Sequence, residues 1–112
     1  MLVGTVVGRV WATQKDATLE GLRFLVVQPF TRSAEPSAET MVVVDPLGAG
    51  VGERVLVVFG RAARHAIGRG HDIGFQAAVS AIIDGMELED GQWVGPTPDQ
   101  DRSAESARQE KA

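Results

Sequence analysis

The amino-acid sequence predicts a small all-β domain, an OB-like five-stranded β-barrel with one short helix before the last strand and a polar C-terminal tail. Three observations carry this. Short Val-rich runs recur between turns of Gly, Pro and Asp, one run of helix formers stands between the fourth and fifth of them, and 112 residues suffice for a single modest core. Cysteine is absent, which removes disulfides, thiolate metal sites and cysteine nucleophiles, so stability has to come from packing and assembly.

The first run, Leu2 to Trp11, is β-branched and carries Gly4 and Gly8, the pattern of a pleated strand with a bend or a close backbone approach. Thr13 to Gly21 is polar and turn-like. Leu22 to Gln28 then reads as a second strand, ended by Pro29, and as the hairpin partner of the first. Thr31 to Thr40 holds Ser, Glu, Pro and Ala without periodicity, the composition of an exposed loop. Met41 to Val44 and Val55 to Phe59 are the third and fourth strands, and Ala78 to Leu88 is the fifth. Between the last two, Arg61 to Ile67 suits about two turns of helix bounded by Gly60 and Gly68.

From Gly91 the composition turns to Gly, Pro, Gln, Asp, Glu, Ser and Lys. This divides the chain into a barrel domain over residues 1–90 and a polar extension over 91–112. Trp93 and Val94 are expected to pack, whereas Pro96 to Ala112 has little capacity to bury surface and is expected to fray. Ser103 to Ala112 has helix propensity but no apolar stripe to dock it.

Apolar side chains occupy successive positions around Val26, Val43 and Val57, so both faces of these strands are greasy. A monomeric barrel needs only its inward face apolar. No segment is long enough to supply covering helices, and the outward face is therefore expected to be covered by another copy, a burial favoured by roughly 25 cal/mol per Å². The formal net charge of -4 gives no general attraction to phosphate backbones or anionic lipid. Met1 to Val10 lacks a basic segment followed by a long apolar run, and no stretch approaches the roughly 18 apolar residues of a membrane span, so the expected location is the cytoplasm.

Gly48-Ala49-Gly50-Val51-Gly52-Glu53 invites comparison with dinucleotide fingerprints. Its glycines alternate as GxGxG, however, and a strand follows where a pyrophosphate needs a helix N-terminus. The glycines suit positive φ or close approach of another backbone, as at a subunit contact or symmetry axis, with Glu53 accepting from neighbouring amides; a plain turn with a bulge is the other reading. His65, His71 and Asp72 are the one cluster of metal-ligand character, and a six-residue His spacing broken by glycines matches no helical or hairpin ligand set. Neither His has an evident Ser or Asp partner for a nucleophilic triad.

Glu20, Asp45, Glu53, Asp84, Glu87 and Glu89 read as turn caps and surface charges rather than as a catalytic pair held across a pocket. Arg61 and Arg64 flank Ala62 and Ala63 beside a small-residue turn, which places Arg64 to reach a carboxylate or carbonyl across an interface. An OB-type reader of single strands interleaves exposed aromatics with Lys and Arg, but aromatics are 5% of this chain and the strands are aliphatic. Self-assembly is therefore favoured over an OB-fold module for a small ligand or single-stranded nucleic acid. No catalytic, cofactor-binding or metal residue is assigned.

Several segments in combination are similar to one known family. Leu2 to Gly8, Ala12-Thr13-Gln14-Lys15-Asp16, Leu19-Glu20-Gly21, Leu25-Val26-Val27-Gln28-Pro29, Val44-Asp45 with Gly48 to Glu53, Val55-Leu56-Val57, Ala62-Ala63-Arg64 and Ile82-Ile83-Asp84 resemble the EutN/CcmL family. The resemblance implies an OB-like barrel that forms homopentamers capping the vertices of polyhedral bacterial microcompartment shells, beside hexameric shell proteins, in the cytoplasm, with no enzyme activity and no cofactor. It implies too that Gly48, Ala49, Gly50, Val51, Gly52 and Glu53, with Arg61, Ala62, Ala63 and Arg64, lie near the subunit contacts or the five-fold opening. Two positions depart from the family pattern. Gln76 stands where many members have an acidic residue before the last strand, and Arg61 where Ser or Asn is common, which bears on the charge of any central opening.

Overall fold

The structure is a computed structural model that describes residues 1–13, 15–32, 39–68, 76–103 and 105–106. Five strands close a barrel: β1 (Leu2–Val10), β2 (Phe24–Pro29), β3 (Met41–Val44), β4 (Arg54–Phe59) and β5 (Ala77–Ile82), in the order β1-β2-β3-β5-β4. The helix α1 (Gly60–Ile67) joins β4 to β5, and a small hairpin of β6 (Met86–Glu87) and β7 (Trp93–Val94) follows. Neighbouring barrel strands are antiparallel except β3 and β5, which meet in parallel at Val44 and Ala78. This is the five-stranded barrel, with its helix before the last barrel strand, that the sequence predicts.

Closure depends on β1. Its residues Gly4 to Val10 pair with β2 while Leu2 to Thr5 pair with β4, and a register shift between Val6 and Gly8 bends the strand so that one element serves both neighbours. Alternation then sends Val6, Leu25, Val27, Val43, Val55, Val57 and Val79 into the interior, all of them buried. Each such side chain contributes about 1.5–3 kcal/mol by leaving water.

Gly4 is required by close approach. A Cβ there would fall inside van der Waals contact of Val27 Cγ1 and 3.0 Å from the Gln28 carbonyl oxygen. Val27 is stiff at χ1 and fully buried, so it cannot swing aside. Gly4→Ala is therefore expected to destabilise by about 1–3 kcal/mol, read as a lower urea midpoint at unchanged m-value.

The outward face is only partly as expected. Val44, Val58 and Ala78 point outward yet are buried, because Ala63 and Ile67 of α1, with Leu19 and Leu22 near the 3-10 turn Ala17–Leu19, pack over them. The expectation that another copy must cover the whole outward face is corrected in this sector. Eight helical residues span about 12 Å, enough to shield the short strands they cross. Elsewhere the expectation stands open, with Val7 and Val42 exposed on β1 and β3.

The fifth strand ends earlier than predicted. It stops at Ile82, where the Ile83 amide donates to the Arg54 carbonyl; β4 begins at Arg54, and no residue remains beyond it to pair. The chain then turns away, and Met86 and Glu87 belong to the separate hairpin. Gly85 lets this happen, since a Cβ there would collide with the Trp93 ring.

The expected fraying of Pro96 to Ala112 is likewise corrected for Pro96 to Arg102. The Arg54 amide donates to the Pro96 carbonyl, Arg102 bridges Trp93, and Asp101 pairs with Arg54. Polar composition gave no sign of this, because the docking is through hydrogen bonds and one ion pair rather than an apolar stripe. The hairpin turn is also tied to the end of β2 by Arg32, 3.4 Å from both Glu89 and Asp90, and the Gln92 amide, seconded by Arg32, holds the Asp90 carboxyl below its ordinary pKa. Residues 33–38, His71, Asp72 and residues 107–112 lie outside the described residues, and with them most of the long loop, two members of the His65, His71 and Asp72 cluster and most of the stretch from Ser103 to Ala112.

Candidate assembly surface

The loop from Asp45 to Glu53 crosses one end of the barrel and is built around two carboxylates. Asp45, 5% exposed, accepts from the amides of Leu47 at 2.9 Å, Gly48 at 3.2 Å and Ala49 at 2.7 Å. Arg23 lies 3.8 Å from the same carboxylate and donates to the Ala49 carbonyl at 2.7 Å. Glu53 accepts from the Gly50 amide at 2.6 Å, as its sequence position suggested, and its own amide donates back to the Gly50 carbonyl. The Gly52 amide and the Glu53 carbonyl then clasp Val6 of β1.

Gly48 and Gly52 have φ of +87° and +95°, left-handed conformations that glycine adopts without the steric cost a Cβ brings. Ala49 is fully buried and closes the barrel end, whereas Leu47 and Val51 stand 50% and 56% exposed. The loop thus spends its polar groups on itself and offers two apolar side chains to solvent.

The second predicted group divides in its surroundings. On α1, Ala63 is fully buried against the outward face of the barrel, while Arg61 and Ala62 are exposed and Arg64 is half-buried. The Arg64 Nε is buried without a hydrogen-bond partner among the described residues, and the Gly68 amide closes the helix on the Arg64 carbonyl at 3.0 Å. Ala49 and Ala63 belong to different clusters, one inside the barrel and one outside, and both side chains pack within the subunit. His65 is exposed, and no group of three potential metal ligands occurs among the described residues.

A third feature escaped the sequence reading. Arg54, 4% exposed, donates from Nη1 and Nη2 to both oxygens of Asp101, at 3.0 and 2.8 Å, and from Nε to the Thr5 hydroxyl at 2.7 Å. Its guanidinium lies 5.7 Å from the Phe30 ring centre. Beside it opens a cleft of 360 Å³ lined by Thr5, Gln28, Phe30, Arg54, Gln92 and Asp101, in which the cation and the carboxylate already answer each other. A bidentate partner 47 residues away leaves no spacing signal for a reader of the sequence.

Residues 1–84 match the profile of the family described as ethanolamine utilisation protein EutN/carboxysome. The chain belongs to the EutN/CcmL family. This EutN/CcmL chain is 42% identical over 87 residues to the bacterial microcompartment shell vertex protein GrpN of Rhodospirillum rubrum, covering 78% of this chain and 97% of that one. It is 46% identical over 84 residues to the carboxysome shell vertex protein CcmL of Thermosynechococcus vestitus, covering 75% and 84%. Among solved structures, CcmL of Gloeobacter violaceus superposes with a TM-score of 0.72 at 32% identity, over 80% of this chain and 91% of that one. The pentameric microcompartment shell protein GrpN of R. rubrum superposes with a TM-score of 0.68 at 40% identity, over 79% and 99%. The matched stretch holds the whole barrel and the Asp45 to Glu53 loop, while the Asp101 arm of the Arg54 pair lies beyond it. No helix among the described residues of this EutN/CcmL chain is long and apolar enough to cross a membrane.

Proposed function

We propose that this chain is a structural vertex protein of a bacterial microcompartment shell, working as a homopentamer among hexameric shell proteins in the cytoplasm. The observation that carries the reading is the pairing of an uncovered valine face on β1 and β3 with membership of a family in which a 40% identical relative is a pentameric shell protein. Its mechanism is geometric. Five-fold rotation gives a corner the curvature that flat hexagonal tiles lack, and the work is done by burial and shape rather than by a reaction. The exposed members of the predicted site, Gly48 and Val51 on the loop and Arg61 and Ala62 on α1, are then available to neighbouring copies or to the axis, and Arg61 brings positive charge there.

Co-expression with the hexameric shell proteins of the same organism tests this. Closed polyhedral shells are expected when the chain is present, and open tubes or sheets when it is omitted. Closure without the chain would overturn the proposal.

A further inference from the structure

The 360 Å³ cleft beside Arg54 opens where β1, the end of β2 and the residues after β7 meet, and its volume falls in the range of about 300–1,000 Å³ typical of small-molecule sites. Its polar lining is held in place before any ligand arrives. The Arg54 side chain, 5% exposed, gives Asp101 and the Thr5 hydroxyl three of the five N–H groups that a guanidinium carries, and Asp101 neutralises its charge. The Gly95 amide holds the same carboxylate at 2.9 Å, and the Arg54 amide fixes the Pro96 carbonyl, so the strap that completes the cleft is itself tied down.

The groups left over select the ligand. Because the Thr5 oxygen accepts from Arg54 Nε, its own proton is left to donate, and the guanidinium keeps N–H groups beyond the three already spent. Phe30, whose ring centre stands 5.7 Å from the guanidinium, joins Val7 in the apolar part of the lining. An anion would have to displace a bidentate carboxylate to reach Arg54, whereas an uncharged acceptor uses the remaining donors and leaves the pair intact. We infer that the cleft binds a small uncharged carbonyl compound, its oxygen accepting from Thr5 and Arg54 and its carbon body lying against Phe30 and Val7. Thr5, Phe30 and Arg54 belong to the stretch that matches the family, but Gln92 and Asp101 lie beyond it, so the residues after β7 turn a barrel surface into a site. The cleft is complete within one subunit, and the inference does not rest on the shell reading.

Titration of the full chain with N-methylpyrrolidone, followed by nitrogen-15 NMR, tests it. This probe is uncharged, offers one carbonyl oxygen and has no N–H or O–H to donate. Saturable shifts are expected at the Thr5 amide, the Arg54 Nε–H and the Gln92 side-chain amide, with the weak affinity proper to so small a ligand. Thr5→Val removes the hydroxyl donor and is expected to weaken binding about tenfold, while Thr5→Ser keeps it and should stay within about twofold of wild type. Val7 is 44% exposed, so the fold can accept Val7→Trp, whose larger ring fills the cleft and should abolish the saturable shifts; this variant decides the matter if Thr5→Val fails to fold. Acetate, a carbonyl acceptor with a charge, is expected to bind more weakly than the neutral probe. Absence of saturation, unchanged affinity in Val7→Trp or in a folded Thr5→Val chain, or tighter binding of acetate overturns the inference.

Discussion

Asp101→Ala is expected to destabilise the protein by about 3 kcal/mol, although the residue lies in a segment whose composition looks dispensable. The cost comes from what is left behind. The Arg54 side chain is 5% exposed, and both of its terminal nitrogens donate to Asp101; without that carboxylate a guanidinium charge remains in a site that water barely reaches. Removing one partner of a buried pair costs about 3–5 kcal/mol, and the lower end applies because Asp101 itself is 28% exposed. The Gly95 amide, 2.9 Å from the same carboxylate, loses its acceptor too, so the strap over β4 should loosen. Equilibrium urea unfolding measures the loss. Arg54→Met combined with Asp101→Leu is the control: with both charges gone, most of the stability should return. An Asp101→Ala variant within about 0.5 kcal/mol of wild type would show that the pair contributes no more than a surface contact.

Asp45→Ala is expected to have the second large effect, about 2–4 kcal/mol, and to act on assembly as well as on the fold. Three consecutive amides lose their common acceptor, and the Ala49 amide is the costliest because that hydrogen bond is buried. Arg23 loses its nearby carboxylate, leaving the Ala49 carbonyl as its remaining contact in this loop. The Leu47 to Val51 segment then has its Glu53 end held and its Asp45 end free. A lower thermal midpoint and faster amide exchange at Leu47 to Gly50 are the expected readings. Asp45→Asn, which keeps one acceptor oxygen, should fall between the two; equal stability of the three proteins would contradict the capping role.

How far these features could be read from sequence follows from the kind of signal each leaves. The barrel strands announce themselves through runs such as Met41 to Val44 and Val55 to Phe59, because β-branched residues between turn formers leave few other structures open. The Gly48 to Glu53 loop was legible in outline, Gly48 and Gly52 marking positive φ and Glu53 its amide cap, since both are local effects. Asp45 read as a generic turn cap, which it is, but its burial depends on Arg23 and the barrel end rather than on its neighbours in sequence. Outward valines looked uniformly unpartnered because the strands say nothing about where α1 lies; Val58 is shielded by it and Val42 is not. The Arg54 and Asp101 pair was invisible for a plainer reason. Long-range ion pairs obey no period, and a polar tail and a polar strap share the same composition.

The central claim, a subunit built to close a five-fold ring, is tested most directly by native mass spectrometry of the intact protein at micromolar concentration. The account predicts one dominant species at five times the 11.9 kDa chain mass. A stable monomer or dimer under those conditions, with the barrel shown folded by circular dichroism, would contradict it.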